Sequence, residues 1–397
     1  MKKHVLNNAR LWIGDGRAFD GHVVIENRRI AAVEPGPYRG DWPVTDLEGA
    51  PLSPGMIDLM VVGALGHSIL RDDPLDLARD YLRLGVTSCQ LTIGTLPWDA
   101  MRHVADHTQK AMGYNERDAA RVLGLYLEGP FQHPDFTGAS MREHALPPTA
   151  ENVQRVLDEL GPAVTMVNVS PKTEGDAEAV RRFCEAGKVV SMAHSDGSAE
   201  RVFRCVEAGT SVLGHAWDNN FGLLGGETKL QQPTLEHVAL TDDRVRFIHV
   251  ICDGIHVDPV IVRLILRCRG VEAICLVTDS VNRAGCPDGP YHHDDGRLFI
   301  KKGGIGYTDA GWVCGSALLL PDHLRNFVKF TGTPPEQAIC TVTSNPARSL
   351  GLLDTIGMIT PDQTADLVAW DNHLRVRRVW RAGQEVNSIS DYAEVNL

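Results

Sequence analysis

The chain has 397 residues, 43% of them hydrophobic and 23% charged, enough to bury the core of one large domain and a smaller companion. Its formal net charge of -12 is spread along the chain, which excludes the basic patch that a nucleic-acid binder needs. No apolar run approaches a membrane span, and no apolar segment follows Met1-Lys2-Lys3, so neither a membrane protein nor a secreted one is expected. The nine cysteines form no CxxC pair, and Cys252, Cys275 and Cys314 sit inside apolar runs. They read as small buried hydrophobes in a reducing, cytoplasmic compartment.

The first fifty or so residues read as short strands and turns, with two apolar runs, Val23-Val24-Ile25 and Ile30-Ala31-Ala32-Val33, around a polar turn. The C-terminal stretch looks alike, with Leu367 to Trp370, then Val376 to Trp380, then a turn at Ala382-Gly383. We therefore expect residues 1–53 and 353–397 to form one small β-sandwich domain from both termini. Residues 54–352 have another rhythm, in which short apolar runs alternate with helix-like stretches such as Leu75 to Leu84, Thr149 to Leu160 and Asp176 to Ala186. Eight strands can be placed, ending near Asp58, Thr92, Glu128, Val169, His194, His215, Asp253 and Asp279. Glu128 to His194 and His215 to Asp279 each span two units of roughly 32 residues, and His194 to His215 one short unit. Eight such units predict a (β/α)₈ TIM barrel, with a doubly wound open sheet as the competing topology.

In a barrel the C-terminal strand ends converge on one face. Four of them carry ionisable residues directly after an apolar run: Glu128, His194, His215 and Asp279. A lone His at a strand end is more often a hydrogen-bonded structural residue. Four ionisable groups on one barrel mouth are harder to dismiss, because burying them without a cation costs several kcal/mol. One carboxylate and two imidazoles are a common ligand set for catalytic zinc, with a position left for water. Glu128, His194 and His215 are thus the candidate metal ligands, and Asp279 the candidate general base and acid. The Gly303-Gly304-Ile305-Gly306 run lacks the Lys-Ser/Thr of a phosphate loop and suits a hairpin. His67 and the His292-His293-Asp294-Asp295 run read as loop residues, and no Gly-x-Ser-x-Gly elbow supports a serine hydrolase.

Longer words surround these residues: Leu52-Ser53-Pro54-Gly55-Met56-Ile57-Asp58, Leu127-Glu128-Gly129-Pro130-Phe131, Ala193-His194-Ser195, Asp253-Gly254-Ile255-His256-Val257-Asp258, Val277-Thr278-Asp279 and Asn345-Pro346-Ala347-Arg348. With them the chain resembles, nearly end to end, the amidohydrolase superfamily, and within it the N-acetylglucosamine-6-phosphate deacetylases. The resemblance implies a homodimer that removes an N-acyl group, most simply N-acetyl, from an amino sugar or its phosphate. It implies the same three metal ligands, Asp279 as acid/base and His256 as a sugar contact.

The departures bear on stoichiometry and substrate. Most superfamily members carry a His-x-His after the first strand for a second metal; here the stretch reads Met60-Val61-Val62, which offers no hard-cation ligand and implies one metal ion per subunit. A substrate-contacting His of the family falls on Ser140 here. Asp218 and Asn219 fall beside the expected phosphate contacts, and the Leu224 to Lys229 region lacks the expected Arg. A carboxylate at Asp218 repels a phosphate dianion, and Lys229 is the cation available to offset it. An amidohydrolase acting on another, non-phosphorylated amide or amine is therefore the alternative, and a non-catalytic barrel scaffold the third reading.

Overall fold

The structure is a computed structural model that describes residues 3–138, 140–218, 224–225, 230–292, 298–308 and 313–388. Both ends of the chain build one sheet. Its strand order runs Gln384–Val386, Val376–Arg381, Leu367–Trp370, Pro51–Pro54, Lys3–Trp12, Ala18–Glu26, Arg29–Pro35, with Val44–Asp46 added beside Lys3–Trp12. The polar turn foreseen between Ile25 and Ile30 is a hairpin corner with Asn27 at φ 58°, a left-handed position that Asn tolerates. Alternate residues of these strands, among them Leu6, Leu11, Val23, Ile25, Leu52, Leu367 and Trp380, fill a core of their own.

The remaining strands form the barrel: Met56–Val61, Val86–Ile93, Arg121–Leu127, Val164–Asn168, Val189–Met192, Val212–Leu213, Phe247–Ile251 and Ile274–Val277. Each pairs in parallel with the next, and helices cover the outside. The helices start where the sequence supplies caps. Asp73, Thr149, Ser198 and Asp258 accept from backbone N–H groups of the first turns that follow them, and Pro74 and Pro259 open two of those helices. The eight strand ends read from the sequence fall within about three residues of the observed ones. Between the first and last strands, an isolated bridge from Val61 to Ser280 closes the ring. Gly303-Gly304 is the turn of an antiparallel hairpin between Leu298–Lys302 and Ile305–Thr308, as its composition predicts. Among the described residues no helix is long and apolar enough to cross a membrane. All nine cysteines are free, six of them buried.

Candidate metal centre

The third, fifth and sixth strands end one or two residues before Glu128, His194 and His215, so these side chains meet at the barrel mouth. His194 Nε2 lies 2.7 Å, and His215 Nε2 2.8 Å, from the same Glu128 oxygen, Oε1. The rings meet edge to face, with centroids 4.6 Å apart. The side chains are 4%, 1% and 13% exposed for His194, His215 and Glu128, so little water competes for them.

The opposite ring nitrogens fix the tautomers. His194 Nδ1 lies 2.6 Å from the Phe136 carbonyl oxygen, and His215 Nδ1 lies 3.1 Å from that of Asp218. A carbonyl only accepts, so each Nδ1 carries its hydrogen, and a neutral ring then has its lone pair on Nε2. Two lone pairs and a carboxylate oxygen aimed at one point repel unless a cation or a shared proton sits among them. The three ligand atoms lie within 4.8 Å of one another, the one such group of three among the described residues, and they suit a divalent ion.

The electrostatics follow the same geometry. Burial would raise the Glu128 carboxyl, but the two imidazoles outweigh it and hold it well below the usual carboxylate range. Burial lowers the His215 imidazole, but the Glu128 carboxylate outweighs that and lifts it to about 10. Asp279 is raised to about 7, first by burial and then by the Glu128 charge; His215, Asp218 and His256 also act on it. His194 and Asp279 both sit at positive φ, 54° and 48°. For a non-glycine residue this costs on the order of 1–3 kcal/mol, and such positions cluster at active sites.

His256 stands on the loop after the seventh strand, its Nδ1 2.5 Å from Asp253 Oδ2. Asp253 also accepts the backbone N–H groups of Ile255 and His256, both at 2.9 Å. Burial raises Asp253, but His256 outweighs it and brings the carboxyl to about 2. Burial likewise lowers His256, and Asp253 reverses the direction. The pair is a fixed charge-assisted unit; the sequence word Asp253-Gly254-Ile255-His256 held both residues, but only His256 was given a role from it.

Ser140 lies against Gly94. A methyl group on Gly94 would stand 2.1 Å from Ser140 Oγ and 3.7 Å from Glu128 Oε2, so Ser140 borders the trio. Asp218 carries its Oδ2 to 3.9 Å from His215 Nδ1. Asn219 and Lys229 lie outside the described residues, as do His293, Asp294 and Asp295. His67 is not drawn into the trio; instead of an irregular loop it lies in a two-residue strand, His67–Ser68, paired with Gly63–Ala64, and faces Asp80 of the first helix at 3.3 Å. Met60 is fully buried in an apolar cluster with Tyr126, Ile251 and Val277, and Val62 is half-buried, its N–H 3.2 Å from Ser280 O.

Comparison with known proteins defines the class. A profile of the amidohydrolase family matches residues 52–386. N-acetylgalactosamine-6-phosphate deacetylase of Escherichia coli O157:H7 is 32% identical over 388 residues, covering 96% of this chain and 98% of its own. The chain belongs to the amidohydrolase family of metal-dependent hydrolases. N-acetylglucosamine-6-phosphate deacetylase of Vibrio furnissii is 27% identical over 367 residues, 92% of this chain and 90% of its own. Among solved structures, a variant N-acetyl-D-glucosamine-6-phosphate deacetylase from Mycobacterium smegmatis, in complex with N-acetyl-D-glucosamine-6-phosphate, superposes with TM-score 0.86 at 26% identity, covering 97% and 99% of the two chains. The N-acetylglucosamine-6-phosphate deacetylase from Pasteurella multocida, at 22% identity, superposes with TM-score 0.88 over 97% and 99%, and shares the barrel with its β-sandwich.

Proposed function

We propose that the chain hydrolyses the N-acetyl group of an N-acetylated amino sugar or amino-sugar phosphate, using one zinc ion per subunit held by Glu128, His194 and His215. The observation that carries this reading is the convergence of two Nε2 atoms on one Glu128 oxygen, with Asp279 just past the last barrel strand. When bound, such an ion supplies Lewis acidity toward water and the acyl carbonyl. Asp279, with its carboxyl near 7, takes the proton from the attacking water and returns it to the departing amine nitrogen. His256, fixed by Asp253, contacts the sugar, and Ser140, Asp218 and Asn219 are the further substrate-binding candidates of this reading. Phe136 O and Asp218 O keep the two ligand imidazoles in the tautomer the ion needs. Met60 and Val62 supply no second set of ligands, which supports a mononuclear site.

The family resemblance supports a homodimer. Apolar surface is at hand at Ile255, Val260 and Leu264, exposed by 47%, 60% and 40% on the loop and helix after the seventh strand. Nine unpaired thiols support a reducing, cytoplasmic setting.

The test is amine release by the zinc-loaded protein from N-acetylglucosamine and N-acetylgalactosamine, each with and without a 6-phosphate. Release from at least one, lost on chelation and regained with zinc, is expected. No release from any of the four under metal-replete conditions overturns the reading. The Asp218 carboxylate, 3.9 Å from the His215 ring, favours a second reading with a non-phosphorylated substrate, and the same four compounds separate the two.

A further inference from the structure

Among the buried carboxylates that the hydrolytic scheme leaves unused, one lies at the barrel seam. Asp58, in the first barrel strand, has no exposed surface. Its Oδ1 accepts from Thr278 N–H at 3.2 Å and Met60 N–H at 3.3 Å, and its Oδ2 accepts from the Thr278 hydroxyl at 2.7 Å. The two strands it joins are the first and the last, at the barrel seam. The seam bonds beyond it run to Ser280, whose carbonyl accepts from Val62 and Gly63 N–H at 3.2 and 3.1 Å and whose hydroxyl meets Tyr81 OH at 2.9 Å. Between the two anchored residues stands Asp279, at φ 48°. A non-glycine residue keeps a left-handed backbone only where its surroundings hold it there. Ser280 is held by the first strand's backbone; Thr278 is held by the Asp58 side chain.

We propose that Asp58 is a positioning residue for the hydrolysis: by clamping Thr278 across the barrel seam it fixes the backbone from which Asp279 reaches the reacting atoms. This rests on the role given to Asp279 above. The clamp acts through its acceptors, so Asn can replace Asp58. Its carbonyl oxygen still takes the two N–H bonds, and its amide donates to Thr278 Oγ, which turns its own hydrogen to the Met60 carbonyl 3.1 Å away. Leu at this position removes every acceptor and strands the buried Thr278 N–H.

The experiment compares the full-length, zinc-loaded parent with Asp58→Asn, Asp58→Leu, Thr278→Val, Thr278→Ser and Asp279→Asn. Turnover is read as amine release from N-acetylgalactosamine 6-phosphate, and clamping as hydrogen exchange of the Thr278 amide. Asp58→Asn and Thr278→Ser should keep kcat within about threefold, whereas Asp58→Leu should lose at least about 30-fold and Thr278→Val about tenfold, with KM nearly unchanged, as expected when a reacting group is displaced by a fraction of an ångström. The Thr278 amide should exchange faster in Asp58→Leu than in Asp58→Asn. An Asp58→Leu protein that binds one equivalent of zinc with parental kcat, or with parental Thr278 exchange, overturns the inference. If that variant does not fold, equal kcat in Thr278→Val and Thr278→Ser overturns it instead. Parental turnover in Asp279→Asn would mark failure of the underlying reading; impaired Asp279→Asn beside parental Asp58→Leu marks failure of the clamp alone.

Discussion

Asp58→Asn should raise the stability of the protein, and raise it more as the pH climbs from 4 to 7. Burial pushes the Asp58 carboxyl up to about 7, against which the bonds from Thr278 and Met60 pull only part of the way back. In the unfolded chain the same carboxyl titrates near 3.9. The folded value is the raised one. The contribution of the protonated acid to stability is therefore fully present below about pH 3.9 and is lost as the pH rises through 7. A span of about three pH units at 1.36 kcal/mol each makes the loss roughly 4 kcal/mol. Asn is isosteric with the protonated acid and pays no such cost. The stability of the variant minus that of the parent should climb by roughly 4 kcal/mol between pH 4 and 7 and then level off. For 397 residues melting with an entropy of roughly 2.1 cal/mol/K per residue, that is about 5 °C in Tm. Scanning calorimetry of both proteins from pH 4 to 8 at one saturating zinc concentration reads it, and effects common to both, zinc release among them, cancel in the difference. A Tm difference that is flat with pH, or that falls as the pH rises, refutes the reasoning.

Asp279→Asn should keep its zinc but lose about 10²–10⁴ in kcat, the range for general acid–base help; near-parental turnover removes it from that role. Glu128→Gln should hold less metal than the parent by elemental analysis, since the oxygen shared by both imidazoles loses its charge, and full occupancy would take it out of the ligand set. Gly94→Ala puts a methyl 2.1 Å from Ser140 Oγ and should raise KM about tenfold; an unchanged KM places Ser140 away from the substrate. The Asp253–His256 pair should stabilise the fold most between about pH 4 and 6.5: Asp253, held down to about 2, gives up its share as the pH falls through that value, and His256, raised, gives up its share as the pH climbs above 6.5 through its folded value. The Tm deficit of His256→Gln should thus shrink from pH 6 to pH 9, and a deficit that grows contradicts the pairing.

The barrel was legible because its signals are local and repeat. Eight apolar runs at a nearly regular spacing give eight strands, and an ionisable residue just past such a run can only stand at the mouth. Glu128, His194, His215 and Asp279 were found that way. The bonds that hold them were not, for three different reasons. Thr278 and Asp58 are 220 residues apart, and nothing local tells either side chain that the other closes the same seam. The acceptor for His194 Nδ1 is the backbone carbonyl of Phe136, a group every residue has, so no residue type could announce it. Asp253 and His256 are only three apart and stand in one quoted word, but the resemblance gave a role to His256 alone, and nothing in the word says that the two side chains pair.

The same geometry separates what the first strand still does from what it has given up. The ladder between the first and second strands shifts register between Asp58 and Val61, just where Asp58 Oδ1 turns back to the Met60 N–H. Met60 then goes into the apolar cluster with Tyr126 and Val277 instead of offering a ligand atom. Strand one is thereby left to packing and to the clamp on Thr278, while every candidate ligand comes from strands three, five and six. Under the proposed function, such a division asks nothing of a second metal, and it leaves substrate discrimination to the loops that bear Ser140, Asp218 and His256.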